Sequence, residues 1–254
     1  MKFTRIALFC FVMAIIALRN PANAQHTSSQ SLDLKNVKTL QAEIQINAGT
    51  LKVTTQTAPK ADSHFTYTKE IWKPQIKYNG EPGKGLLSIK QPEEKNTNMK
   101  DKDRNDWDIK LPQGVATTLN LRMGAGEGNV DLSRAKINRL VMEAGAGEFN
   151  VNLANTSVSD VQLNAGVGEV NLDLSGNRTT NLKATINGGI GSLNLVLPRK
   201  TGVRVKVNGL GSLDTDALKK QGGYYVNDAY GKTPQSVEIT INGGLGNVAL
   251  ALRD

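Results

Sequence analysis

Val161-Gln162-Leu163-Asn164-Ala165-Gly166-Val167-Gly168-Glu169-Val170-Asn171-Leu172-Asp173-Leu174 is the stretch that decides the fold. Apolar and polar residues alternate from Val161, a Gly-x-Gly step interrupts them, and alternation resumes at Val170, Leu172 and Leu174. A period of two sends one set of side chains to an interior and the other to solvent, which reads as strand, corner, strand. Glycine suits the corner because a sharp bend needs positive φ or close backbone approach, and glycine supplies both without a Cβ clash.

The same unit recurs to either side. Its corners are Gly124-Ala125-Gly126, Gly145-Ala146-Gly147, Gly166-Val167-Gly168, Gly189-Ile190-Gly191, Gly209-Leu210-Gly211 and Gly244-Leu245-Gly246. Measured at the second glycine, the spacings are 21, 21, 23, 20 and 35 residues. A strand-type repeat near 21 residues marks a solenoid, whose coils bury their apolar faces only by stacking. The predicted fold is therefore all-β: a single-domain β-solenoid with an N-terminal β elaboration, of six or seven coils.

Stacking turns recurrent polar positions into ladders about 4.8 Å per step. Asn129, Asn150, Asn171 and Asn194 form one, read as a structural amide stack with ligand binding as the alternative. Glu127, Glu148 and Glu169 form another, either solvated or sharing a cation or a basic partner. With Tyr224, Tyr225 and Tyr230 of the long interval before the last corner, they are the candidate partner surface. The tyrosines alternatively close the far end of the core.

Upstream, Ala42 to Val53, with Asn47-Ala48-Gly49 at its middle, reads as a degenerate first coil. Phe65 and Tyr67, Ile76 and Tyr78, Leu87 and Ile89, and Trp107, Ile109 and Leu111 then mark four strands. Residues 61–112 are expected to be an antiparallel elaboration capping one end, and Pro92 to Asp108 a solvated loop. Trp72 and Trp107 are read as core or cap residues, with sugar stacking as the rival.

Residues 1–24 have the pattern of a Sec signal peptide: Lys2 and Arg5, an apolar run from Ile6 to Leu18, Pro21, then Ala22-Asn23-Ala24. Cleavage between Ala24 and Gln25 would lower the formal charge from +8 to +5 and remove Cys10, the one cysteine. The organisation expected is thus signal peptide 1–24, N-terminal β region 25–112 and Gly-x-Gly repeat 113–254, with no membrane span after cleavage and an extracytoplasmic address, periplasmic or secreted. Interleaved charges argue against nucleic acid as a partner. One cysteine and two histidines exclude a nitrogen/sulfur metal centre, and no cofactor is expected. A dinucleotide fingerprint needs a helix after its glycines, where this pattern places a strand. No Gly-x-Ser-x-Gly elbow, His-Glu-x-x-His or P-loop occurs.

Taken together, Ile46-Asn47-Ala48-Gly49-Thr50-Leu51, Asn105-Asp106-Trp107-Asp108, the Gly-x-Gly-Glu corners, Tyr225-Val226-Asn227-Asp228-Ala229-Tyr230-Gly231 and Ile241-Asn242-Gly243-Gly244-Leu245-Gly246 resemble the bacterial "toast rack" family. These are secreted β-solenoid domains related to the LiaF-type C-terminal domain and to adhesins bearing the same repeat. The resemblance implies envelope-stress sensing, scaffolding or adhesion, without assigned catalytic residues. The regulator members carry transmembrane helices before the solenoid, which puts direct control of a membrane kinase in doubt here.

The expectation is a non-catalytic cell-envelope protein acting as a binding scaffold or stress-response partner, with an envelope protein as its partner. The first alternative is an adhesin or glycan-binding module meeting a cell-surface glycan. The second is a polysaccharide-degrading β-helix enzyme, which would need clustered Asp and a Lys or Arg base, whereas Asp131 and Asp173 stand on separate coils. Open edges at Val248–Leu252 would let solenoid ends pair into homo-oligomers, with Arg253 and Asp254 opposing it.

Overall fold

A computed structural model describes residues 25–92, 99–100, 102–215 and 218–254. The signal-peptide reading, Ala24 included, lies outside the described residues. The strands in chain order are β1 (His26–Asp33), β2 (Val37–Gln56), β3 (Lys60–Tyr67), β4 (Gln75–Glu81), β5 (Gly83–Lys90), β6 (Asn105–Pro112) and β7 (Ala116–Asp131). They continue with β8 (Ile137–Asn152), β9 (Asp160–Asp173), β10 (Leu182–Pro198), β11 (Gly202–Asp214), β12 (Lys219–Gln221), β13 (Tyr224–Val226) and β14 (Ser236–Arg253). One short 3-10 turn, Glu70–Trp72, lies between β3 and β4.

Each long strand is a whole strand–corner–strand unit, bent at its glycines and stacked parallel on its neighbours in the order β2, β7, β8, β9, β10, β14, β11. The register puts Gly49, Gly126, Gly147, Gly168, Gly191, Gly246 and Gly211 in one column. In the neighbouring column Gly124, Gly145, Gly166, Gly189, Gly244 and Gly209 each lie against a backbone carbonyl of the coil beside them. Gly49 shows why glycine is needed: its φ is +133°, and the carbonyl of Asn105 occupies the place a Cβ would take. The alternating residues on either side of the corners, such as Leu121, Met142, Leu163, Ile186 and Ile241, form one continuous core.

Two features differ from the sequence reading. The last corner in the chain is not the last in space: β14 inserts between β10 and β11, so β11 is the terminal coil. The 35-residue interval carries the chain out through the β12–β13 hairpin and back. The edge at Val248–Leu252 is accordingly covered by β11 as far as Ala249. The N-terminal elaboration is also not wholly antiparallel. β5 stacks parallel on the first half of β2 and β6 on its second half, so together they form one more coil, split at its corner. Only β4, β3 and β1 are antiparallel, covering that coil from outside.

The expected solvated loop ends at Arg104. Asn105, Trp107 and Ile109 point into the core while Asp106 and Asp108 face outward, so the charges that read as loop belong to the outer face of β6. Trp72 and Trp107 are both buried, which removes them as sugar-stacking platforms.

Candidate binding site at the last corners

The residue just before the corner, on the inward face, shrinks along the stack: Ile46, Met123, Ala144, Ala165, Gly188 and Gly243. In β11 the position is missing, because one residue separates Asn208 from Leu210 where β14 has two. In the early coils the angle behind the corner is filled, with Phe149 and Met123 closing over Gly128. In the last four coils it is open, leaving a cavity of about 280 Å³. Leu163, Ile186 and Ile241 line one wall and Val170, Leu193 and Val248 the other, with Tyr225 at the end formed by β13. A Cβ at Gly188 or at Gly243 would meet nothing within 4 Å.

Outside the same corners the middle residue grows as the inner one shrinks, from Ala48, Ala125 and Ala146 to Val167, Ile190 and Leu210. Val167 is 56% exposed, Ile190 59% and Leu210 75%, so an apolar ridge crosses the last coils in register. Beyond Val205 no described strand pairs with the outer side of β11, and its corner is the solenoid's uncovered edge.

The Glu ladder runs beside the corners, exposed throughout. Asn150 donates to Glu148 Oε1 at 3.1 Å, and Asn171 and Asn194 both donate to Glu169 Oε1 at 3.1 Å. The amides also bond to one another, Asn171 Nδ2 to Asn150 Oδ1 at 2.9 Å and Asn194 Nδ2 to Asn171 Oδ1 at 2.7 Å. Glu148 and Glu169 are thus held by the amide stack. Among the described residues, no three His, Cys, Asp or Glu side chains are placed to hold a metal.

A second amide ladder escaped the sequence reading: Asn187 donates to Asn164, Asn242 to Asn187 and Asn208 to Asn242, at 2.7 to 3.0 Å. Its signal was the Asn-x-Gly that opens the corners at Asn164, Asn187 and Asn242.

The tyrosines do not present a free aromatic surface. Tyr224 and Tyr230 are half-buried, with the Arg204 guanidinium 4.7 Å and 5.8 Å from their ring centres. Arg204 also bonds Glu238 at 3.0 Å, and that hydrogen bond holds its proton more firmly than usual. On the hairpin, Lys219 donates to Asp228 at 2.8 Å, which raises the lysine and lowers the carboxylate from their ordinary values. Tyr225 alone turns toward the cavity.

The chain matches the family model described as the N-terminal domain of toast_rack, DUF2154, over residues 20–168 and 144–196. Among solved structures it is similar to a "putative cell adhesion protein" from Clostridium sporogenes, with 26% identity and a TM-score of 0.71. That match covers 91% of this chain and 100% of that one. It is also similar to a "putative adhesin" from Bacteroides fragilis, at 14% identity and a TM-score of 0.32, over 89% of this chain and 98% of that one. No curated protein matches the chain.

Proposed function

The chain belongs to the toast-rack family, and from that premise we propose that it is an extracytoplasmic adhesin that works by binding and not by catalysis, through the exposed corner of its last coils. The name carried by the Clostridium sporogenes structure supports adhesion. The observation that carries the choice of surface is the ridge of Val167, Ile190 and Leu210. Exposed apolar side chains aligned in one register column point to a protein-binding site, and here they stand on a rigid stack. A glycan platform would call for open aromatic faces, while the rings of Tyr224 and Tyr230 are engaged by Arg204.

The catalytic alternative is weakened by what its candidate carboxylates do. Asp131 accepts the backbone N–H of Ser133, and Asp173 accepts that of Ser175 and pairs with Arg253 at 2.9 Å. Both are turn-forming residues, two rungs apart.

The full chain, immobilised, should capture a protein from an envelope or cell-surface extract saturably, and polysaccharide from the same extract should not be retained. Leu210→Asp combined with Ile190→Asp should abolish capture without changing circular dichroism or Tm, because both side chains already face solvent. Polysaccharide retention, or undiminished capture by the double variant, overturns this reading. A captured partner from the cell's own envelope, with the same sensitivity, moves the role from adhesion to scaffolding.

A further inference from the structure

We propose that the cavity inside the last four coils is a binding site for the unbranched hydrocarbon chain of an anionic amphiphile, such as a fatty acid. It lies behind the corners whose outer side carries the adhesive ridge; Ile190 and Leu210 belong to the lining of both, and Val167, which does not line the cavity, tells the two sites apart.

The shape of the site comes from the register. Four stacked coils, β9, β10, β14 and β11, contribute equivalent residues to the cavity, so it extends along the stack for three rung spacings, about 14 Å at ~4.8 Å each. A channel of that form is long and narrow, suited to an extended chain more than to a ring system. Its walls are mainly Leu, Ile and Val, joined by Ser192, Asn208, Ser212 and Asn247, with Ala165, Gly188 and Gly243 where the early coils carry Ile46 and Met123. The side chains removed here have no replacement from elsewhere in the fold, since a Cβ at Gly188 or Gly243 would touch nothing. Protein interiors are otherwise packed to crystal density, and this same solenoid packs the equivalent angle with Phe149 four rungs from its far end. The volume, about 280 Å³, stands near the lower end of small-ligand sites, which run from roughly 300 Å³.

The polar end is set at the hairpin. Val205 of β11 faces Tyr225 of β13, which faces Lys220 of β12. Directly opposed residues share a face of the sheet, so Lys220 follows Tyr225 outward on the face that continues the solenoid interior. An exposed ammonium beyond a tyrosine at the end of an apolar channel complements a carboxylate or phosphate head.

Titration of the full chain with cis-parinaric acid, a fluorescent unbranched fatty acid, tests this. We expect saturable binding of one molecule per chain, displaced by dodecanoate. Gly188→Met with Gly243→Met refills the channel and should weaken binding at least tenfold with the circular dichroism unchanged. If that pair disturbs folding, Gly188→Leu alone serves the same purpose. Lys220→Gln should weaken dodecanoate several-fold and leave dodecanol unaffected. Val167→Asp, at the ridge residue that does not line the cavity, should bind the probe normally. Displacement by phosphatidylglycerol vesicles as well as by dodecanoate identifies a lipid acyl chain as the source, and displacement by dodecanoate alone a free fatty acid. Absence of saturable binding by the unaltered chain, or equal binding by the refilled variant, would falsify the assignment.

Discussion

At the N-terminal end the corner of β2 is covered by a coil whose own corner has been replaced by buried polar side chains; at the opposite end no described strand covers the corner of β11. In the first case Asn105 donates to the carbonyl of Ala48 at 2.7 Å and to Gln91 Oε1 at 3.0 Å, while Gln91 Oε1 also accepts Asn47 N–H at 2.9 Å. Trp107 Nε1 donates to Asn105 Oδ1 at 2.9 Å, and Phe65 packs edge-on against the Trp107 ring at 5.2 Å. The Asn47 N–H and the Ala48 carbonyl at the bend of β2 both find partners on that side. Among the described residues the outer side of β11 has only the two-residue pairing with β13, at Arg204 and Val205, and then a corner with Leu210 exposed at its tip. A repeat stack has to end twice, and open strand edges invite association. Here one end is built shut, and the other keeps the apolar surface and the cavity on which binding is proposed.

The sharpest way to break the comparison is to put the same methyl group at each end. Gly49→Ala forces a Cβ into the Asn105 carbonyl at a φ of +133°, in a strand clamped between β6 and β7. Strain at positive φ and overpacking together should cost about 4 kcal/mol, seen as a fall in Tm of roughly 8–16 °C. Gly211→Ala also directs its Cβ at a carbonyl, that of Gly246, but its strand is free on the outer side and can lift away. A cost of about 1–2 kcal/mol is expected there. Equal losses in calorimetry would mean that the β11 corner is as confined as that of β2.

Removing one amide from each end should give the next largest contrast. Asn105→Ala strands the Ala48 carbonyl and the Trp107 N–H in a dry interior, a loss of about 3 kcal/mol. Asn208→Ala takes the last rung from an exposed ladder and should change stability by less than about 0.5 kcal/mol. Chemical denaturation read by Trp fluorescence separates these values, and a loss at Asn208 matching that at Asn105 would show the open end to be held by its amides.

The middle of the molecule was far more legible than either end. The corner glycines stand in the sequence at a nearly constant period, and both constraints that demand glycine, positive φ and carbonyl contact, come from the stack itself. Strand alternation is equally local, so Phe65, Leu87 and Trp107 could be placed on strands before any partner was known. Pairing is not local. Nothing in the pattern of Gly83–Lys90 or Asn105–Pro112 distinguishes a strand parallel to β2 from an antiparallel one, and the charged stretch between them hid the fact that they are halves of one coil. The insertion of β14 beside β10 left only the 35-residue interval as its trace. Of the candidate site, the tyrosines and the corners were visible, but the taper from Ile46 to Gly243 becomes meaningful only once the register aligns those residues.

The smallest effect concerns the outermost strand of the closed end, and it is driven by pH. Asp62 on β3 takes hydrogen bonds from Lys60 at 2.8 Å, from Ser31 of β1 and from Gln56 at 3.1 Å, and these, the lysine first, hold its carboxyl down at about 2. A carboxyl depressed in the folded state stabilises it fully above the ordinary value near 4, and that contribution is lost as pH falls toward 2. Because Ser31 is one of the donors, protonation loosens the β1–β3 pairing specifically. Hydrogen exchange at β1 amides, compared with that at β8 amides, should therefore accelerate between about pH 4 and pH 2, and Asp62→Asn should remove the pH dependence. At the open end the corresponding tie, Lys219 to Asp228, is exposed on both sides and joins no covering strand to the stack. Acid should therefore uncover the closed end progressively while leaving the β11 corner as it was, and an equal acceleration at Val207 and Leu213 would mean that the two ends share one cooperative unit.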